Sequence, residues 1–135
     1  MIRGQPMTDM KKPAKVLAAL NKWQRRKFNY GDADCCQFAA FIVKELTGQD
    51  YAADFQYNTE QEADQIISKA GDLQDFIASV LGEPSGQLKD GDPCLIKLPI
   101  VGQLLGVKLG ASVVALTEKG MVRVDVRYLV CGWSV

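Results

Sequence analysis

The chain has 135 residues, of which 47% are hydrophobic, and its sixteen basic and sixteen acidic residues give a net charge of zero. These values are typical of one soluble globular domain with its own core. No apolar run approaches the ~20 residues that span a bilayer, and the start at Met1 shows no secretory-signal pattern. We therefore expect no membrane span and a protein that is made and kept, or assembled, in a cytoplasm.

The charges are unevenly distributed along the chain. Residues 1–30 carry eight Lys and Arg but only Asp9 as an acidic residue, whereas residues 31–92 carry thirteen Asp and Glu but three Lys. The basic segment has neither an aromatic stacking series nor a known DNA-reading pattern, so we expect no nucleic-acid partner. It is better explained by pairing with the acidic middle of the chain or with a neighbouring subunit.

Apolar residues recur with helical spacing near the start of the chain. We interpret residues 1–12 as a flexible or partner-bound N-terminal tail and residues 13–135 as a single domain. Pro13 suits the first turn of a helix that extends to about Lys27. Trp23 falls on the apolar side of this helix, which predicts that it is a core anchor.

The middle of the chain predicts two short helices after a loop at residues 50–57, whose aromatic side chains we expect to pack inward. Thr59 and Glu62 have the spacing of a capping box, in which each side chain accepts a hydrogen bond from the other residue's backbone N–H. The helix that they open is predicted to end at Gly71. A second helix is predicted over residues 73–81, where another glycine follows.

Beyond Leu88 the apolar pattern changes from helical spacing to that of short strands. Pro99 restricts the first strand to a sheet edge, or ends it. Turn residues separate five predicted strands, at residues 94–98, 104–109, 112–116, 121–126 and 128–133. Helices followed by a meander predict the α+β fold class, with N-terminal helices packed on a C-terminal antiparallel meander sheet or half-barrel.

The segment at residues 28–41 begins as a turn and continues as a helix. Gly31 permits the chain reversal, and either Asp32 or Asp34 is placed to cap the helix. Cys35 lies in the first turn, where unpaired N–H groups and the helix dipole favour a thiolate. Neighbouring N–H groups at such a place can also hold an oxyanion, which suits a nucleophilic cysteine. The alternative is that Cys35 is a small buried core residue.

The cysteines give no pattern of a metal site. The chain contains Cys35, Cys36, Cys94 and Cys131, with no C-x-x-C pair, and it contains no histidine. Adjacent side chains diverge, so the first two cysteines do not easily point at one metal ion. We therefore expect no zinc site, iron–sulfur cluster or other cofactor, and in a cytosol we expect no disulfide.

The order of these features resembles the NlpC-type papain-like cysteine peptidases, which cleave cell-wall peptides. Their Asp-Cys-Ser-Gly-Phe motif after a Tyr-Gly turn is matched by residues 30–31 and 34–38, so Cys35 corresponds to the catalytic nucleophile. Their Gly-Asp turn is matched by residues 91–92, and their His-Val-Gly-Ile-Tyr-Leu-Gly strand by residues 104–110. The resemblance implies a papain-like NlpC-type fold.

Within this superfamily the chain is similar to a branch carried by tailed phages and prophages. The shared features are a tryptophan in the first helix, a Phe-Ala-Ala run, a Thr-Gly-x-Asp segment and a C-terminal aromatic strand, here Trp23, residues 38–40, residues 47–50 and residues 132–133. The resemblance implies a virion protein of the tail tip or baseplate, or a tail-assembly protein, assembled in the host cytoplasm. Its implied partners are other phage tail proteins (hub, distal tail, fibre or central tip proteins), with peptidoglycan as a second candidate.

The chain departs from the peptidases at the catalytic base. Leu104 matches the catalytic histidine, the orienting position falls near Ala115, and an alignment shifted by one residue offers Gln103. The imidazole of a Cys–His enzyme both forms the thiolate and protonates the leaving amine, which neither leucine nor glutamine can do. We therefore predict that Cys35 is the nucleophile equivalent in a protein without catalytic activity.

Two alternatives stand beside this prediction. The first is a cysteine peptidase or amidase that degrades host peptidoglycan during phage DNA entry, with a base supplied by Asp32, by Asp34 or by a partner subunit. The second is an assembly factor for tail proteins that is absent from the finished particle.

Overall fold

The structure is a computed structural model that describes residues 4–135, with side chains described from Ala14 onward. Within these residues, four α-helices precede a five-stranded antiparallel sheet, which confirms the predicted α+β fold. The helices are α1 (Gly4–Trp23), α2 (Cys35–Thr47), α3 (Glu60–Ala70) and α4 (Leu73–Leu81). The strands are β1 (Pro93–Leu98), β2 (Gly102–Leu109), β3 (Ser112–Thr117), β4 (Gly120–Asp125) and β5 (Leu129–Gly132). No helix in the described part of the chain is long and apolar enough to cross a membrane.

Helix α1 begins at Gly4, well before the start predicted at Pro13, and it ends at Trp23, about one turn earlier than predicted. Proline in a helix interior removes an N–H donor and usually breaks the helix, which is why the sequence pattern predicts a start there. Part of the predicted N-terminal tail is thus helical, and residues 1–3 of that tail lie outside the described residues. Trp23 is buried, as predicted, in edge-on contact with Phe38 of α2.

Helix α2 begins with the cysteine pair and is capped by Asp34, the second of the two candidate aspartates. The Asp34 side chain accepts a hydrogen bond of 2.8 Å from the backbone N–H of Gln37. Gly48 follows the last helical residue in the left-handed conformation, with a φ of 84°. The buried face of α2, which packs on β2 and β3, consists of Phe38, Ala39, Ile42 and Val43.

Helices α3 and α4 pack against each other, and α4 also contacts β2. Thr59 caps α3 by accepting from the backbone N–H of Glu62, as predicted, but the Glu62 carboxylate accepts from Asn58 and not from Thr59. Helix α4 buries Leu73 and Ile77, whereas α3 buries none of its side chains. The apolar face of α3 is therefore left partly open.

The strand order in the sheet is β4-β3-β2-β1-β5, and every neighbouring pair is antiparallel. The first four strands form the predicted meander. The fifth strand crosses to the other side of the meander and pairs with β1, so β1 is an interior strand that ends before Pro99. One face of the sheet packs against the helices through Leu95, Leu105 and Val107, and the other face carries a second cluster around Cys94, Ile96 and Val113.

The turn between β1 and β2 is strained at Ile100. This residue has a φ of 70°, and the backbone N–H of Val101 donates to the carbonyl oxygen of Pro99 at 2.7 Å, which makes a γ-turn of the rare positive-φ type. Among the described residues, Ile100 is the only one other than glycine with a positive φ. Its side chain is fully exposed. A β-branched residue is a genuine outlier in this conformation, and here no burial offsets the strain.

We expect Ile100→Gly to raise the free energy of unfolding by about 1 kcal/mol, because the relief of the strain exceeds the added entropy of the unfolded chain. Urea denaturation would measure the change. Val101→Gly is the matched control, since Val101 is an exposed apolar residue of the same turn without a positive φ, and it should lower stability slightly. Equal losses in both variants would show that the turn at Ile100 is not strained.

Candidate functional site

Cys35 and Cys36 lie on the wall of a cleft of about 790 Å³. Helix α2 contributes one wall, loop 50–57 with α3 and α4 another, and β2 with the β3–β4 turn a third. The lining is predominantly apolar and includes Phe55, Ile67 and Phe76. Both the volume and the apolar lining with few polar groups are typical of ligand-binding sites.

Asp34 connects the cysteine turn to loop 50–57. This buried carboxylate accepts hydrogen bonds from the backbone N–H of Gly31 at 2.9 Å, from the backbone N–H of Gln37 and from the Tyr57 hydroxyl at 2.6 Å. Gly31 has a φ of 83°, and a Cβ at this position would overlap the carbonyl oxygen of Tyr57. The first turn of α2 and the loop are therefore held as one unit.

The register of β2 decides which of its side chains face Cys35. Leu105 belongs to the cluster that packs against α2 and the thiol, whereas Leu104 packs against the cluster on the other face of the sheet. Leu104, which the sequence matched to the catalytic histidine, therefore packs mainly on the side of the sheet opposite the thiol, although it also contributes to the lining of the cleft. Alternation along the strands puts Gln103 on the face of Leu105 and turns Ala115 away from α2. Strand β2 thus presents a leucine and an amide toward the thiol.

The two adjacent thiols ionise differently. The Cys36 thiol, followed by the backbone N–H of Leu105, lowers the pKa of Cys35, although burial and the Asp34 carboxylate oppose the change. The pKa of Cys36 is raised well above its ordinary value by the Cys35 thiol and by burial. Cys35 is therefore the thiol that loses its proton first. A lowered pKa is expected for a cysteine in the first turn of a helix, but the main cause here is the neighbouring Cys36 thiol.

The two aspartates considered as candidate bases are engaged in other contacts. Asp32 forms an ion pair of 2.8 Å with Arg26 at the surface, and the Asp34 carboxylate already accepts three hydrogen bonds. The Gln103 amide donates to Asp72 and is not basic at neutral pH. The chain has no histidine to stand beside the thiol, and neither Leu105 nor Gln103 can take the role of an imidazole.

The remaining cysteines lie outside the cleft. Cys94 is buried on the other face of the sheet, with its Sγ 3.4 Å from the carbonyl oxygen of Asp92, and burial raises its pKa to about 12. Burial also raises the pKa of Cys131 on β5. All four cysteines are free, and the described residues contain no group of three or more His, Cys, Asp and Glu that could hold a metal ion.

Exposed acidic side chains are among the residues that line the cleft, and we call them its rim. The Tyr30 hydroxyl lies 3.1 Å from a carboxylate oxygen of Glu60 and 3.3 Å from one of Glu118, so that α3 and the β3–β4 turn meet at this tyrosine. Burial and the two carboxylates raise the pKa of Tyr30. Asp64 and Asp72 line the cleft as well, and a single lysine is the only basic residue among its described lining residues.

One protein-family model matches the chain over residues 9–135, and the family is described as a domain of unknown function, DUF6950. The chain belongs to the DUF6950 family. No curated protein matches it. Because the match includes the cysteine turn, α3, α4 and the whole sheet, the cleft lies within the DUF6950 domain.

The sequence of this DUF6950 domain does not predict the cleft. The aromatic residues of loop 50–57 were expected to pack inward. The Tyr57 hydroxyl donates to Asp34 and the Phe55 ring packs edge-on against Phe76 of α4, but Tyr51, Phe55 and Tyr57 all line the cleft as well. An irregular loop with several large aromatic residues is the signal that could have indicated a binding wall here.

We expect Cys35 to react with iodoacetamide at a lower pH than the other three cysteines, because its pKa alone is lowered and theirs are raised. Brief alkylation of the native protein between pH 6 and 9, read by peptide fragmentation in a mass spectrometer, gives the pH midpoint of each thiol. Since the Cys36 thiol is the main cause, Cys36→Ala should move the Cys35 midpoint upward and Cys131→Ala should not. An unchanged midpoint in Cys36→Ala would contradict this assignment.

Proposed function

We propose that this DUF6950 chain is a non-catalytic protein of the phage tail tip or baseplate, or of tail assembly, built on a papain-like NlpC-type scaffold. The motif order from the Tyr-Gly turn to the C-terminal aromatic strand supports the scaffold and the placement in a tail. The geometry of the thiol site supports the absence of catalysis. Other tail proteins are the proposed partners, and the phage tail tip is the proposed location.

One observation carries the non-catalytic part of the proposal. The thiol of Cys35 packs against the cluster that contains Leu105, and Gln103 lies on the same face of β2, so the strand presents to the thiol no side chain that could act as the imidazole of a Cys–His hydrolase. General acid–base help is worth about 10²–10⁴-fold in rate, and losing the orienting group as well should leave little turnover. A cysteine with a lowered pKa but no proton donor for the leaving amine is a poor amidase.

A cysteine hydrolase that acts on peptidoglycan is the second candidate. The lowered pKa of Cys35 and its place at a helix start favour it. Two features oppose it. The candidate bases Asp32 and Asp34 are both engaged elsewhere, and cell-wall peptides carry free carboxylates that an apolar cleft with an acidic rim would repel.

Deletion of the gene from its phage or prophage tests the proposal. We expect particles with defective tails, and full rescue by both the wild-type gene and Cys35→Ala. Mass spectrometry of purified particles then separates a tail component, which stays in the particle, from an assembly factor, which does not. Normal particles without the gene would overturn the proposed function. Failure of Cys35→Ala to rescue, although the variant folds, would favour the hydrolase.

A further inference from the structure

We infer that the cleft beside Cys35 binds a cationic peptide segment that carries long aliphatic side chains and belongs to a partner protein. This inference rests on the proposed function for the identity of the partner, since a tail protein would supply the segment. The chemistry of the segment is argued from the walls, the rim and the lip of the cleft.

The walls of the cleft favour aliphatic side chains. Helix α3 buries none of its residues, and its Ile66 and Ile67 are partly exposed and line the cleft. Phe76 of α4, which is also partly exposed, lines the same space. An occupant with aliphatic side chains would remove these apolar surfaces from water, which is the main favourable contribution to most peptide binding.

The rim of the cleft favours positive charge. Glu60, Asp64, Asp72 and Glu118 are exposed lining residues, against the single basic side chain of Lys119. None of these four carboxylates forms an ion pair within the described part of the chain. Glu60 and Glu118 both lie beside the Tyr30 hydroxyl, and among the described residues neither has a basic side chain as an ion-pair partner. Lys or Arg side chains of an occupant would complete the electrostatic complementarity.

The β1–β2 turn forms a lip that extends the apolar surface. Leu98 and Val101 line the cleft, and Ile100 between them is fully exposed on strained backbone. Strain that persists without a structural benefit is typical of binding sites. The lip therefore gives an observation, independent of the cleft volume, that points to a partner at this position.

These features select a peptide over other ligands. An anionic lipid or a polar cell-wall peptide would meet the acidic rim, and a metal ion would need a cluster of ligands that the described residues do not contain. A peptide can place aliphatic side chains in the cleft while its basic side chains meet the rim.

Fluorescence anisotropy with the labelled peptide Lys-Leu-Leu-Lys-Leu-Leu-Lys tests the inference. We expect saturable binding that weakens as salt increases, and at least tenfold weaker binding of the peptides in which Glu replaces Lys or Ser replaces Leu. Equal binding of the three peptides, or no binding of the first, would overturn the inference.

Paired variants of the protein locate the site. Glu60→Gln with Glu118→Gln should weaken binding about tenfold, whereas Glu45→Gln with Glu83→Gln, which removes two charges outside the cleft, should not. Ala63→Trp fills the cleft and should abolish binding, and Ser68→Trp on the exposed side of α3 should not. Circular dichroism checks that each variant is folded.

Equal effects of a cleft variant and its control would overturn the assignment to the cleft. The proposed function is judged separately, from defective tails after gene deletion. A protein that is required for tails but does not bind the cationic peptide would contradict only the inference. Binding by a protein that is not required for tails would contradict only the proposed function.

Discussion

Replacing Gly31 by alanine is expected to lower the free energy of unfolding by about 3 kcal/mol or more. The added Cβ would overlap the carbonyl oxygen of Tyr57, which is backbone and cannot rotate away. The alanine would also have to adopt a φ of 83°, which costs about 1 kcal/mol by itself. Because the Gly31 N–H donates to Asp34, a shift of this turn also weakens the cap of α2. Urea denaturation followed by circular dichroism measures the loss.

Gly48→Ala provides a matched control for this substitution. Gly48 has nearly the same φ, 84°, but nothing lies within 4 Å of the position that its Cβ would occupy. Its loss should therefore be limited to the backbone strain of about 1 kcal/mol. A Gly31→Ala variant no less stable than Gly48→Ala would show that loop 50–57 can move away from the cysteine turn, and that the two do not form one unit.

Asp34→Ala is the second change with a large expected effect, a loss of about 2–4 kcal/mol. It removes the cap of α2 and leaves the Gly31 N–H and the Tyr57 hydroxyl without their acceptor. Burial makes the loss larger than at an exposed cap, because water does not easily replace the lost partner. Thermal and urea unfolding measure the loss directly.

Two further variants separate the contribution of Asp34 as a helix cap from its contribution through the hydrogen bond to Tyr57. Thr59→Ala removes an exposed cap with a single hydrogen bond, at the start of α3, and should cost about 1 kcal/mol. Tyr57→Phe removes only the hydroxyl that donates to Asp34 and should also cost about 1 kcal/mol. If Asp34→Ala costs no more than Thr59→Ala, the carboxylate is an ordinary cap and does not hold the loop.

The ends of most helices could be predicted because caps are local. The glycines that follow α2, α3 and α4 and the caps at Thr59 and Asp34 depend on residues within one turn. The start of α1 could not be predicted, because the helix continues through Pro13 against the local preference. The place of β5 beside β1 could not be predicted either, since strand pairing depends on contacts far apart in the chain.

The candidate site likewise has parts that local sequence predicts and parts that depend on contacts far apart in the chain. The position of Cys35 in the first turn of α2 follows from residues around it, and so does the aspartate that caps the helix. The face of β2 that meets the thiol could not be predicted, because a shift of one residue turns Leu105 and Leu104 to opposite sides. The apolar cleft requires α3, α4 and β2 together, and only the folded chain brings these elements to one place.

Release of soluble peptides from purified cell-wall sacculi most directly measures whether Cys35 is catalytic. Wild-type protein and Cys35→Ala should be compared at equal concentration, with a known cell-wall amidase as the positive control. We predict that both proteins release no more peptide than buffer, because the thiol packs against Leu105 and the chain has no histidine to act as the general base and acid. Peptide release by the wild-type protein that disappears in Cys35→Ala would contradict a non-catalytic site.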